Sequence, residues 1–358
     1  MILTSCPECG ASVREGELFC EACGHRLASP LMQSDPLTAT DPVAAPPGDG
    51  GSQACARCGA PAEEITEDQY CGRCGMRQPR HSDHRESDLG ALAAAATDRG
   101  LRHHRNEDTY EIACTDDRIV AVLCDGVSSS ATPELASAAA AAAALQALSP
   151  ALEGPCPDHD TARALLNDAI ADAQRAVAGL GQGDGPQTPA TTVVAAIVAE
   201  GVIALANVGD SRAYWLAEDP SEISRPLTVD DSCAQDAIVA GFEPEQAYAA
   251  QDAHTLTRWL GADAGEIAPT ISVLENPPPG TVLLCSDGLW NHFPEADQLL
   301  DLLAGDGPER PIAAARRMVA AAVSAGGEDN ITVIVIPAPL RPHPSPEPQE
   351  FTHADLHP

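Results

Sequence analysis

Four short apolar runs in this chain each end or begin at an aspartate, and this repetition constrains the fold more tightly than any bulk property. Residues 119–124 (IVAVLC) lead into Asp125-Gly126, 201–208 (GVIALANV) into Gly209-Asp210, and 282–285 (VLLC) into Ser286-Asp287; Asp329-Asn330 opens 331–336 (ITVIVI). Aliphatic runs of this length that stop abruptly at Asp or Gly read as strands, the first of them buried on both faces. Taken alone, Asp125-Gly126 fits a hairpin turn more readily than a ligand pair. Three runs approach their aspartate and one leaves it, as antiparallel neighbours sharing one mouth would. Converging carboxylates repel one another and are costly to desolvate unless cations neutralise them, so the pattern points to a divalent metal site. Oxygen donors alone suit Mg²⁺ or Mn²⁺ rather than zinc.

A second metal chemistry is written into the N-terminal quarter. Cys6-Pro-Glu-Cys9 and Cys20-Glu-Ala-Cys23 are followed by Cys55-Ala-Arg-Cys58 and Cys71-Gly-Arg-Cys74, each second cysteine preceding a glycine. Two CxxC knuckles bring four thiolates to one tetrahedral zinc, and the glycine allows the tight turn that points backbone N–H groups at the sulfurs. Residues 1–27 and 54–77 therefore read as two zinc ribbons, holding two structural Zn²⁺ per chain. Modules this small have too little core to fold without the metal. They serve either as structural knobs or as docking modules.

Between and around them, 28–53 and 78–87 read as flexible linkers and 340–358 as a disordered tail, rich in Pro, Ser and polar residues. Residues 88–339 alternate apolar runs with Ala-rich stretches, which is the sign of one large domain of mixed strands and helices. Helices are expected over 134–148 and 161–180, and a hairpin over 191–208. The loop 97–108 is dense in carboxylate, guanidinium and imidazole groups. The net charge is −33 and there is no lysine, so the chain is expected to repel nucleic acid and anionic membranes. No signal-like leader and no apolar run of about 18 residues is legible, and paired CxxC motifs in an unsecreted chain favour metal over disulfides; a cytoplasmic location is expected.

Six short motifs now fall in order. Asp98-Arg-Gly100 with Asn106-Glu107-Asp108, then Cys124-Asp125-Gly126, Ala190-Thr-Thr192, Asn207-Val-Gly-Asp-Ser-Arg212, Ser286-Asp287-Gly288 and Gly327-Glu-Asp329-Asn330-Ile-Thr332 resemble those of the metal-dependent protein phosphatase 2C family, across 88–337. The resemblance implies an α+β, four-layer αββα sandwich: two antiparallel sheets flanked by helices, here preceded by the zinc-ribbon modules. It implies a serine/threonine phosphatase that uses two Mn²⁺ or Mg²⁺ ions, with a third, weaker site at Asp210. Asp125 would bridge both metals, with the Gly126 carbonyl on one and Asp287 and Asp329 on the other, while Glu107 and Asp108 hold metal-bound waters. A water activated between the metals would attack phosphorus in line. The implied partners are phosphorylated proteins, a serine/threonine kinase or its substrates.

Two departures stand out. The family's phosphate-clamping arginine is replaced by His103, flanked by Arg102 and His104; Arg102, His103 and Arg105 are the candidate phosphate ligands. Val127 follows Asp125-Gly126 where some members place an acid-donating histidine, which leaves a metal-bound water, His103 or His104 as proton donors. The weaker clamp also motivates an alternative: a catalytically weak phosphoprotein-binding or adaptor protein whose ribbons recruit partners.

Overall fold

The computed structural model describes residues 54–66, 69–181, 188–304 and 310–340, in two compact units divided after Asp83. The first ribbon (1–27), the linker 28–53 and most of the tail 340–358 lie outside the described residues.

In the larger unit every apolar run becomes a strand. A six-stranded antiparallel sheet has the order β1 (His84–Asp88), β2 (Ala94–Asp98), β13 (Ile331–Ala338), β12 (Gly280–Cys285), β8 (Arg212–Ala217) and β9 (Arg225–Pro226). A five-stranded antiparallel sheet has the order β11 (Thr270–Glu275), β7 (Val202–Val208), β6 (Val193–Ala199), β4 (Arg118–Asp125) and β3 (Asp108–Cys114). A short pair joins β10 (Leu260–Gly261) to β5 (Ala190–Thr191). Helices α1 (Pro133–Leu148) and α2 (His159–Leu180) pack on the five-stranded sheet, and α7 (Pro311–Ala325), with α5 (Asp287–Trp290) and α6 (Ala296–Leu303), on the other. Two further helices, α3 (Cys233–Val239) and α4 (Pro244–Tyr248), lie in the segment between β9 and β10.

The four layers follow from side-chain alternation. Along β4, Ile119, Ala121 and Leu123 point into the apolar layer between the sheets, while Val120, Val122 and Cys124 face α1 and α2. This period of two explains why the run is unbroken: both faces are covered. Residues such as Leu123 and Ile197, fully buried, each stabilise the fold by about 1.5–3 kcal/mol relative to exposure. The small side chains of α1 (Ala136, Ala140, Ala141, Ala144) let it approach sheet and α2 closely. With the turn that follows, Pro133–Leu152 is long and apolar enough to cross a membrane by composition, contrary to the sequence expectation; its apolar face is spent on this core.

One boundary is corrected. Residues 84–87, expected in a linker, form edge strand β1, paired with β2 from His84↔Asp98 to Asp88↔Ala94. HRESD has no apolar pattern because its side chains meet polar partners: His84 lies between Asp98 and Glu86, Arg85 stacks over the Tyr110 ring and pairs with Glu111, and Glu86 receives Arg316. An edge strand tolerates such a composition. Strand β3 starts at Asp108, which enters the ladder opposite Asp125.

Candidate metal centre

Both sheets deliver their aspartates to the same edge because the registers end together. Asp108 pairs with Asp125, Cys285 with both Val333 and Arg212, and Ile331 with Asp98. Just beyond these ends stand Asp210, Asp287, the first residue of α5, and Asp329, and with Asp125 these three line one cavity of about 570 Å³.

Each position is locked by neighbours distant in sequence. The Asp125 carbonyl accepts hydrogen bonds from Thr192 N (2.8 Å) and Thr191 Oγ1 (2.7 Å), and Asp125 N donates to Thr192 Oγ1 (3.2 Å). Gly126 is obligatory: a Cβ there would lie 2.6 Å from the Pro133 carbonyl oxygen and 2.8 Å from that of Glu107. Asn330, 2% exposed, pins the loop 99–107 at three points: its Oδ1 accepts from Glu107 N (2.7 Å) and its Nδ2 donates to the carbonyls of Arg99 (2.8 Å) and Arg105 (3.0 Å). Gly100 and Gly288 close on this segment, where a Cβ would reach within 2.2 Å of the Asp329 carbonyl and 2.1 Å of the Asn330 carbonyl. Trp290 Nε1 donates to the Asp210 carbonyl (2.9 Å), and its ring carries the Arg212 guanidinium at 3.7 Å.

The electrostatics record the crowding. Burial, then the charges of Asp108, Asp287 and Asp329, push the Asp125 carboxyl well above the usual range; burial and Asp329 do the same to Asp287. Asp210 is pushed up to about 7 by burial and Asp230, and Asp108 to about 6 by burial, against the hydroxyls that hold it. Asp287 Oδ1 is buried with no hydrogen-bond partner. Carboxylates that raise one another, and one buried oxygen without a donor, fit divalent cations held by Asp125, the Gly126 carbonyl, Asp287 and Asp329, with Asp210 beside them.

The other candidates are placed differently. Asp108 lies behind the cavity wall, its Oδ2 accepting from Ser286 Oγ (2.8 Å) and Thr332 Oγ1 (2.7 Å), and its Oδ1 is buried without a partner. Glu107 also lies off the cavity lining, its Oε2 accepting from Ser128 Oγ at 2.5 Å, and Ser128 does line it. His103 Nε2 is 3.1 Å from Asp329 Oδ1. Arg102 pairs with Glu328 (2.7 Å) and Arg105 with Glu134, so the structure does not bring these two guanidiniums to the cavity. Arg258 pairs with the buried Asp231 (2.8 Å). Sequence reasoning passed over the hydroxyls of Ser286 and Thr332, whose signal is their fixed offset from Asp287 and Asn330. His254, Thr255, Leu256, Trp259 and Asp263 also line the cavity; residues 254–261 resemble the family's flap region beside the site, but sequence reasoning weighed a substrate role there only for Arg258.

The smaller unit builds its site from adjacent residues. Cys55, Cys58, Cys71 and Cys74 place their sulfurs within 4.8 Å of one another, with Cys55–Cys74 and Cys58–Cys71 both at 3.6 Å. A tetrahedral zinc with sulfur at about 2.3 Å sets edges of about 3.8 Å, so the thiols fit that ion. Gly59 (φ 68°) and Gly75 (φ 71°) take the left-handed turn, donating to the carbonyls of Cys55 and Cys71. Although burial opposes it, the backbone N–H groups of Cys58 and Arg57 hold the Cys55 thiol down to about 6. The four ligands of the first ribbon, Cys6, Cys9, Cys20 and Cys23, lie outside the described residues.

Residues 99–305 match the family model described as Protein phosphatase 2C, and residues 6–75 the one described as Double zinc ribbon. The chain belongs to the protein phosphatase 2C family. The Serine/threonine phosphatase stp of Listeria monocytogenes is 30% identical over 251 residues, 67% of this chain and 93% of that protein. The stp of Listeria innocua is 38% identical over 148 residues, and the match spans 56% of its length and 41% of this chain. The PPM Ser-Thr phosphatase MsPP from Mycobacterium smegmatis, solved in complex with cacodylate, superposes with a TM-score of 0.56 at 30% identity, over 70% of this chain and 98% of that one. The catalytic domain of PstP, solved with two manganese ions, does so at 0.54 and 29% identity, over 68% and 96%.

Proposed function

We propose that this chain is a metal-dependent serine/threonine phosphatase that hydrolyses phosphoserine and phosphothreonine in proteins and opposes a protein kinase. The observation that carries the reading is the convergence of Asp125, Asp210, Asp287 and Asp329 on one cavity. Divalent cations bound there supply a water nucleophile near neutral pH and offset the charge of the phosphoryl group. The chain's own residues do the positioning. Thr191 and Thr192 hold the Asp125 backbone, Asn330 fixes the loops bearing Glu107 and Asp329, and Gly126 lets the strand end close on the Pro133 and Glu107 carbonyls. Glu107 and Asp108, off the cavity lining, act through Ser128 and through Ser286 and Thr332. Phosphate contact falls to the hydroxyls of residues 128–130, which line the cavity, because Arg102 and Arg105 are engaged elsewhere and His103 is held by Asp329 off the lining.

The module limits are 1–27 and 54–77 for the ribbons and, with β1 included, 84–339 for the catalytic domain. The ribbons mediate targeting or regulation. A net charge of −33 argues against nucleic acid or anionic membranes as partners. The nine described cysteines are unpaired, which supports a reducing cytoplasm.

The full-length protein loaded with Mn²⁺ is expected to release phosphate from phosphoserine and phosphothreonine peptides, and Asp125→Asn to lower that turnover by at least about 10²-fold. Unchanged metal-dependent turnover in the variant would overturn the proposal.

A further inference from the structure

The step that the motifs leave without a donor is protonation of the leaving oxygen, since Val127 stands after Asp125-Gly126 and has no proton to give. His103 is bound to Asp329, and neither His103 nor His104 lines the cavity. Among the described residues one imidazole does: His254, which lines it together with Asp125, Asp210, Asp287 and Asp329. Its ring is steered by two aromatic neighbours, Tyr248 at 6.2 Å and Trp290 at 5.9 Å between centroids. Trp290 is in turn fixed by its hydrogen bond to the Asp210 carbonyl and by the Arg212 guanidinium stacked on it. Arg212 is itself held by Asp230 and by the hydroxyls of Tyr214 and Tyr248. The chain thus spends a stacked, hydrogen-bonded network on orienting a ring whose own nitrogens make no hydrogen bond among the described residues.

We infer that His254 is the general acid of the reaction, an inference that rests on the phosphatase reading above. As the bond from phosphorus to the serine or threonine oxygen breaks and a bond from phosphorus to the attacking water oxygen forms, the His254 N–H proton passes to the leaving oxygen. The products are the free hydroxyl and inorganic phosphate. The proton lost by the water returns to the imidazole through solvent, and no other reactant is consumed. The wall it stands on, with Thr255, Leu256, Trp259 and Asp263, then covers the leaving-group side of the phosphoryl centre.

The test compares leaving groups. With the full-length Mn²⁺-loaded protein, His254→Gln is expected to lower kcat on a phosphothreonine peptide by about 10²-fold, because an alkoxide needs the proton. Its kcat on p-nitrophenyl phosphate, whose phenolate leaves unassisted, is expected to change less than about threefold. Added imidazole is expected to restore peptide turnover in His254→Ala. Equal losses on both substrates, or no loss on either, would overturn the assignment while leaving the phosphatase reading intact. A wild-type protein inactive on both would overturn that reading, and the assignment with it.

Discussion

The two kinds of metal site in this chain are built in opposite ways. The second ribbon gathers four thiols from within 20 residues, Cys55 to Cys74, around a core of Cys55, Ala60 and Cys71. The carboxylate centre gathers Asp125, Asp210, Asp287 and Asp329 from across the larger unit, and three apolar layers hold its strands independently of any ion. In the first, metal binding is folding; in the second, folding precedes metal binding and is opposed only by the repulsion of carboxylates that no cation yet neutralises.

Metal removal should separate the two regions most sharply. Chelation is expected to bring phosphatase activity to background and to unfold the ribbons, while circular dichroism retains the strand and helix signal of the larger unit. Cys71→Ser should cost one of two zinc ions by elemental analysis and move the main thermal transition by less than about 2 °C. Loss of the main transition on chelation would break the contrast.

A smaller effect tests the pins. Asn330→Ala leaves Glu107 N and the carbonyls of Arg99 and Arg105 without their partner in a site that is 2% exposed. A loss of about 3 kcal/mol in chemical denaturation is expected, roughly one for each hydrogen bond. A loss below about 1 kcal/mol would mean that the loops are held by other contacts.

The smallest expected effect is a difference in pH response. In the metal-free protein, Asp108 at about 6 and Asp210 at about 7 are raised above their unfolded values near 3.8. Between those limits the native state binds more protons than the unfolded one, so stability falls as pH rises from about 4 to 7. Mn²⁺ should abolish that slope. The ribbon runs the other way, since acid protonates its thiolates and releases zinc. Urea midpoints for the larger unit with and without Mn²⁺, and zinc release followed by a chelating dye, measure the two slopes; the same sign for both would remove the distinction.

The same contrast governs what could be read in advance. Strands β4, β7, β12 and β13 were legible because both of their faces are apolar, and the four aspartates because each abuts such a run. Strand β1 was not, since its charged side chains find partners on β3 and α7, which no local pattern announces. Asp108 was legible as a site carboxylate, but its seat behind the wall depends on Ser286 and Thr332, 178 and 224 residues away. Arg102 and Arg105 looked available until Glu328 and Glu134 claimed them. His254 lay in a stretch that resembles the family's flap region, yet no role was legible for it, because only the return of its segment to the strand ends places it on the cavity.

By itself, the sequence determined the periodicities, the turn glycines and the ligand types: CxxC knuckles for a soft ion, and strand-end carboxylates for hard ones. Those properties are local, set by backbone sterics and donor chemistry. Which oxygens lie without a donor, which guanidiniums are spent, and which imidazole faces the phosphoryl centre were decided only by the tertiary structure, because each depends on residues brought together by sheet register and core packing across hundreds of positions.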